Sequence, residues 1–221
     1  MSTDTSTVRL VKSAERALTI LEVLGAARGP ISVTELHQRT GYPRSSLHQL
    51  LHTMIAMNWI DTTNEGAMVG VGSRALLVGT AYLDRDPALT RATRTLELIR
   101  ENTGYTTHYA RLEGASVIYL ATREAIAPHR AASRIGRQLP AHATSLGKVL
   151  LAELTTAEAS LELPVDPLPA LTPHTIGTQA ELFAEMERTQ QRGYSIEREE
   201  NTLGLGCIGV AVPYRIPATD A

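Results

Sequence analysis

Apolar residues recur at helical spacing through the first third of the chain. Ala14, Ala17, Leu18, Leu21 and Leu24 form one face of a helix that Ser13 is placed to cap, running to about Ala27. Ile31-Ser32-Val33 is a short extended entry, and Thr34 is placed to cap a second helix carrying Leu36. Leu47, Leu50, Leu51, Met54 and Ile55 give a third helix the i, i+3, i+4, i+7, i+8 spacing of an amphipathic element. Between the second and third stands Thr40-Gly41-Tyr42-Pro43. Gly41 suits a left-handed helix terminus, and Pro43 disfavours helix at Tyr42. Asn58–Thr63 and Ala67–Val71 then read as two strands around an Asn64-Glu65-Gly66 turn, with Trp59 anchoring the hairpin base. Three helices followed by a hairpin predict a winged helix-turn-helix. Ser73–Leu83 is helical but apolar on too many sides for an isolated surface helix, which predicts a linker and dimer contact.

Asp84-Arg85-Asp86-Pro87 marks a boundary, with Pro87 in the first turn of a helix over Ala88–Glu101. Leu89, Thr93, Leu96 and Ile99 face inward on that helix. Tyr105–Leu112 and Ala115–Ala121 are β-rich runs around Glu113-Gly114, and His129–Ala132 is a candidate further strand. A loop from Leu139 to Thr144 leads into a helix from about Ser145 to Leu154. Thr155-x-x-Glu158 and Thr178-x-x-Glu181 are capping-box patterns, and Gly193 ends the second of those helices. Leu163–Pro173 holds four of the eleven prolines and reads as a surface loop. Tyr194–Arg198 and Cys207–Pro213 read as strands. Hairpins mixed with helices predict an α+β domain. The organisation expected is a winged helix-turn-helix over 1–72, a linker or dimerisation helix over 73–86, and a second domain over 87–221.

Length and charge refine this picture. The chain has 221 residues, 43% hydrophobic but only 4% aromatic, so its cores rest on aliphatic side chains. No apolar run approaches a membrane span, the N-terminal residues lack a secretory apolar core, and the lone Cys207 suits a reducing cytoplasm. Residues 1–83 carry seven basic and six acidic side chains, a net of +1. Phosphate neutralisation supplies much of DNA affinity. A reader this weakly charged depends on dimer geometry and a few direct contacts, so its salt dependence is expected to be shallow.

The helical spacing leaves Arg44, Ser45, Ser46, His48, Gln49 and His52 on the outer face of the third helix, and Thr34 joins them as a candidate DNA contact. A helix-turn-helix presents such side chains to the major groove, where Arg suits guanine and Gln suits adenine. The alternative is a solvated face of a protein-binding winged helix. His48 and His52, at i and i+4, have metal-ligand spacing but no evident third ligand, so no metal is expected. Cys207 with His142 invites a nucleophile reading, against a buried core cysteine; separation in sequence supplies no dyad. Lys148 follows Gly147 without a phosphate-binding loop before it. No catalytic residue and no cofactor is expected.

Four segments together resemble the IclR-type transcriptional regulators: Ser13–Leu21, Gly41–Leu51, His142–Lys148, and Gly193–Glu200 followed by Gly204 and Cys207. The resemblance implies a winged helix-turn-helix, a dimerising linker helix and a GAF-like effector-binding domain. It further implies a double-stranded DNA operator, a small-molecule effector such as an organic or aromatic acid, and a homodimer or tetramer. It points to Leu139, Thr144, Ser145, Leu146, Glu197, Leu205 and Cys207 as the effector site. There, a helix N-terminus at Ser145 suits an anion, and Leu139, Leu146 and Leu205 suit an apolar wall. Ordinary capping and core packing is the other reading of these residues. The chain departs from the family pattern at Gln49, often basic, at Asn58, often glycine, and in an acidic wing with Asp61 and Glu65. Ending at Ala221, the domain is expected to lack the family's last strand and helix. The function expected is metabolite-modulated operator binding. The alternative is an effector-insensitive or degenerate regulator that binds DNA constitutively or binds only metabolite.

Overall fold

In a computed structural model, which describes residues 10–27, 29–63, 65–125, 135–215 and 217–221, the chain divides into two compact units at Arg85/Asp86. The candidate strand at His129–Ala132 lies outside the described residues.

The first unit is a winged helix-turn-helix. Helix α1 spans Lys12–Ala26, strand β1 Ile31–Ser32, α2 Val33–Thr40, α3 Arg44–Ala56, β2 Ile60–Thr63, β3 Met68–Val71 and α4 Ser73–Asp84. Ser13 lies inside α1 instead of capping it; Val11 is the cap residue and offers no side-chain bond. The α1 face also differs from the sequence reading. Ile20 and Leu24 are buried, with Ala17 and Leu21 packed beside them, whereas Ala14 is exposed and Leu18 is 62% exposed. Two residues along a helix turn about 200°. Once Ile20 takes the core, Leu18 must face away.

Ser32, not Thr34, caps α2, its hydroxyl accepting the Glu35 N–H at 3.0 Å. Thr34 therefore sits exposed in the first turn. Gly41 adopts φ 66° and donates its N–H to the His37 carbonyl at 2.9 Å, which ends α2 and sets the turn into α3. The wing is an antiparallel sheet ordered β1-β3-β2, with Ile31 and Thr62 flanking Val69. Leu36, Leu47, Leu51, Met54, Ile60 and Val69 close the core, and Trp59 packs half-buried against it. Asn58 takes φ 60°, a left-handed conformation that Asn tolerates better than most residues and glycine better still. That conformation accounts for the glycine common there. Next to it, a Cβ on Gly72 would stand 2.4 Å from the Asn58 carbonyl oxygen, so only glycine lets α4 begin against the wing base. Helix α4 buries none of its residues and leaves Leu76, Leu77 and Val78 exposed.

The second unit is α+β. It contains α5 (Pro87–Thr103), β4 (Thr107–Glu113), β5 (Ser116–Arg123), β6 (Gln138–Pro140), a 3-10 turn (Ala141–Ala143), α6 (Ser145–Leu151), α7 (Thr156–Glu162), α8 (Gln179–Arg192), β7 (Ser195–Arg198) and β8 (Gly206–Gly209). Asp86 caps α5 through the Ala88 N–H at 3.0 Å, with Pro87 in the first turn and Gly104 at φ 76° ending the helix. Ala88, Leu89 and Leu96 face the sheet, but Ile99 is exposed. Strands β4, β5 and β6 form one antiparallel sheet with a bulge at Tyr109/Ala110. Leu139 belongs to β6, opposite Val117, rather than to a loop. The helix after it closes at Leu151. Thr155 and Glu158 make a full capping box. At Thr178 only half forms, because the Glu181 carboxylate instead accepts the Thr178 hydroxyl and the Gly177 N–H.

Strand β8 ends at Gly209, earlier than its apolar run, because Val212 donates its N–H to the Asp220 carbonyl. Thr219 and Ala221 accept N–H bonds from Leu112 and Ala110 of β4, at 2.9 and 2.8 Å. Arg111 binds Asp86 and Asp220 together, and Arg215 also binds Asp220. Burial would raise the Asp86 carboxyl, but the Arg111 bond, the Ala88 N–H and the neighbouring guanidinium charges outweigh it and hold the group below its ordinary range.

Candidate DNA-binding face and effector site

Helix α3 buries Leu47, Leu51 and Met54 and turns Arg44, Ser45, His48, Gln49 and His52 to solvent. Ser46 is half-buried, and its hydroxyl accepts a bond from Arg16 Nη1 at 2.9 Å. The same guanidinium lies 5.1 Å from the centre of the Tyr42 ring. Arg16 thus brings a charge from α1 to the first turn of α3. The sequence reading missed this because the two residues are thirty positions apart. Arg39, by contrast, is closed onto Glu35 at 2.5 Å. Thr34 lies beside Arg44 and His48 on the rim of a shallow open cleft between α2 and α3, with His37 on the same rim and Val33 and Leu47 also lining it. The wing adds the exposed acids Asp61 and Glu65. Among the described residues, no group of three His, Cys, Asp or Glu side chains could hold a metal ion. No described helix is long and apolar enough to cross a membrane.

The second candidate site gathers where α6 meets the β7–β8 hairpin. Thr144 caps α6, its hydroxyl accepting the Gly147 N–H at 3.0 Å. Ser145 follows, buried, with a hydroxyl that has no hydrogen-bond partner. Its carbonyl accepts the Ser195 hydroxyl at 2.6 Å. A Cβ on Gly209 would fall 2.7 Å from that carbonyl, so the hairpin can approach only there as glycine. Ser195 pairs with Gly209 and Glu197 with Cys207. Strand alternation puts all four on one hairpin face, the face that meets Ser145. Leu146 is core, and Leu139 packs partly buried against the same core. Leu205 lies outside that core, 48% exposed on the β7–β8 turn.

Three buried charged side chains, Lys148, Glu197 and Glu200, shape this junction. Lys148 is 1% exposed, and its ammonium lies 2.6 and 2.8 Å from the two carboxylate oxygens of Glu200. Glu197 Oε1 accepts the backbone N–H groups of Glu200 and Asn201, at 2.9 and 3.2 Å. Burial pushes the Glu197 carboxyl above its ordinary range, against the lowering effect of those bonds. Thr172 and Thr175 donate their hydroxyls to the carbonyls of Glu199 and Glu200, at 2.7 and 2.6 Å, and so clasp the turn from outside. Sequence spacing gave no sign of Lys148–Glu200 or of this clasp. His142 is buried with Nε2 donating to the Pro169 carbonyl at 3.0 Å, a structural tie between the 3-10 turn and the proline-rich loop.

Residues 13–63 match the IclR helix-turn-helix domain, and residues 80–215 match the C-terminal domain of the bacterial transcriptional regulator IclR. The chain is 32% identical over 203 residues to the HTH-type transcriptional regulator XynR of Escherichia coli (strain K12), covering 92% of this chain and 81% of that one. It is 30% identical over 204 residues to the transcriptional repressor IclR of the same strain, covering 91% and 74%. Among solved structures, an IclR transcriptional regulator from Alicyclobacillus acidocaldarius superposes with a TM-score of 0.82 at 20% identity, covering 96% of this chain and 86% of that one. An IclR homolog from Microbacterium hydrocarbonoxydans, complexed with 4-hydroxybenzoate, superposes with a TM-score of 0.74 at 20% identity, covering 94% and 86%. These two likenesses concern the fold.

Proposed function

Because the chain belongs to the IclR family, and is therefore a DNA-binding transcriptional regulator with a C-terminal effector domain, we propose that it reads a palindromic or pseudo-palindromic operator as a dimer through the outer face of α3. The observation that carries this reading is the sidedness of α3, with apolar residues inward and Arg44, Ser45, His48, Gln49 and His52 outward. Thr34 and the Arg16-braced Ser46 extend that face. The exposed aliphatic side chains of α4 support pairing through this helix into a dimer or tetramer. The relatives are regulators and not enzymes, and the work assigned to this chain is done where the DNA lies, in the cytoplasm.

The effector in this reading is a small organic or aromatic acid held at the α6–hairpin junction, with Thr144, Ser145, Glu197 and Cys207 around it and Leu139, Leu146 and Leu205 flanking. The unpartnered buried Ser145 hydroxyl supports a polar ligand. Burial raises the Glu197 carboxyl above its ordinary range, which favours its neutral form more than in an exposed glutamate, and only that form could donate to an acid's carboxylate. The 4-hydroxybenzoate complex of the Microbacterium hydrocarbonoxydans homolog is consistent with a fold that holds an aromatic acid. Coupling follows from differential affinity: the ligand biases two arrangements of the paired reading heads, and DNA prefers one.

Replacing Arg44 with alanine tests the reading. Gel-shift affinity for a duplex selected by the protein from a random pool should fall about tenfold or more, the usual worth of a good base or phosphate contact, with little change in melting temperature. Unaltered affinity would overturn the assignment of α3 as the reading helix.

A further inference from the structure

We propose that the cleft between α2 and α3 is a proton-gated seat for one backbone phosphate of duplex DNA, with His37 as its switch. The inference rests on the DNA reading above and concerns the regulation of that contact. Thr34, His37, Arg44 and His48 surround the cleft together with the apolar Val33 and Leu47. One hydroxyl, one fixed cation and two imidazoles around a shallow opening match a tetrahedral anion with several acceptor oxygens.

His37 differs from the others in being oriented. Its Nδ1 lies 2.8 Å from the Tyr42 carbonyl oxygen. A carbonyl has no hydrogen to give, so Nδ1 carries the hydrogen and donates whether the ring is neutral or charged. In the neutral ring Nε2 is then a bare lone pair, which repels a phosphate oxygen. In the imidazolium it becomes a charged donor. One proton therefore converts His37 from opposing the phosphate to binding it. The Gly41 turn that closes α2 places Tyr42 to impose this tautomer.

The neighbouring charges do not cancel the switch. On α2 itself Glu35 is closed onto Arg39. Helix α3 presents Arg44 and His48 at the same cleft. Helix α1 brings Arg16, held by Ser46 and the Tyr42 ring. The unit's other described acids are Glu15 and Glu22 on α1, Asp61 and Glu65 on the wing and Asp84 on α4. With near-balanced charge before the linker, one added positive charge at the DNA face is a large proportional change.

The test is fluorescence anisotropy of the full chain with a labelled duplex that the protein selects from a random pool, at fixed ionic strength between about pH 6 and 8. Wild-type binding should tighten about tenfold toward the acid end, with a salt slope steeper there by about 0.9, the worth of one further phosphate contact. His37→Gln should lose most of that response, because a side chain that cannot gain the proton replaces the ring. His37→Asn guards against misfolding, since its amide replaces Nδ1 as donor to Tyr42 while removing Nε2, and it should behave like His37→Gln. A pH response that survives intact in both variants, or that resides wholly in His48, overturns the proposal. Failure of wild type to bind any duplex would be different, since it would sink the DNA reading itself and the cleft with it.

Discussion

Replacing Gly147 with alanine is expected to destabilise the effector unit by about 3 kcal/mol or more, at the upper end of overpacking losses. A Cβ there would stand 2.2 Å from the Ala141 carbonyl oxygen, 2.3 Å from the Ala141 Cα and 2.6 Å from its carbonyl carbon. All three are backbone atoms of the 3-10 turn, so no side chain can rotate away. Every residue of α6 is buried, so the helix cannot shift outward without breaking the core around Leu146, Val149, Leu150 and Leu151. The single tryptophan makes the effect local to read. Trp59 lies in the first unit, so its fluorescence follows the winged helix, whereas far-ultraviolet circular dichroism follows the whole chain. In urea the dichroism transition should move to lower concentration while the tryptophan transition stays near its wild-type midpoint. An unchanged dichroism midpoint would show that the close approach of α6 to the 3-10 turn is wrong.

The second large effect belongs to Lys148. Lys148→Met should cost about 3–5 kcal/mol, because it leaves Glu200 charged, largely buried and without its partner. Glu200 is only 8% exposed, so water cannot replace the ammonium cheaply. Lys148 also attracts Glu197, so its loss should favour the protonated form of that carboxyl further. Removing both charges, as in Lys148→Met with Glu200→Gln, should recover most of the loss, since the penalty arises from the orphaned charge more than from the lost attraction. Urea midpoints of the two single variants and the double provide the cycle. Simple addition of the single losses would contradict a coupled buried pair.

The parts legible in the sequence are those whose signal is local. The α3 face was readable because Leu47, Leu51 and Met54 repeat at helical spacing, and Gly41 and Gly193 mark real left-handed termini. The full capping box at Thr155 was readable for the same reason. Choices between close neighbours were not. Ser32 and Thr34 are both good caps, and only the strand entry at Ile31 decides for Ser32. Leu18 and Ile20 are both apolar, and only the packed helices decide which one faces the core. Long-range polar contacts were invisible. Nothing in spacing joins Arg16 to Ser46, Lys148 to Glu200, or Thr172 and Thr175 to the turn at Glu199. Asn58 shows the converse: a departure from a family glycine that becomes intelligible once its positive φ is known.

The candidate effector site divides in the same way. The stretch from Thr144 to Leu146 announces a helix start, but the approach of Ser195 and Gly209 to Ser145 comes from residues about fifty to sixty positions away. What the sequence presented as seven separate candidates becomes a junction of Thr144, Ser145, Glu197 and Cys207 backed by the Leu139 and Leu146 core, with Leu205 on the adjoining turn.

DNA reading by the first unit is expected to respond to a small acid in the second. Footprinting of the full chain on its selected duplex, with and without a panel of organic and aromatic acids that includes 4-hydroxybenzoate, tests it most directly. The expected result is protection of two half-sites about one helical turn apart. At least one acid should shift the midpoint by about 5-fold to 150-fold, the usual range of coupling between sites. Protection that no acid changes would favour a constitutive DNA binder. A chain that protects no DNA at all would overturn both the reading helix and its coupling to an effector.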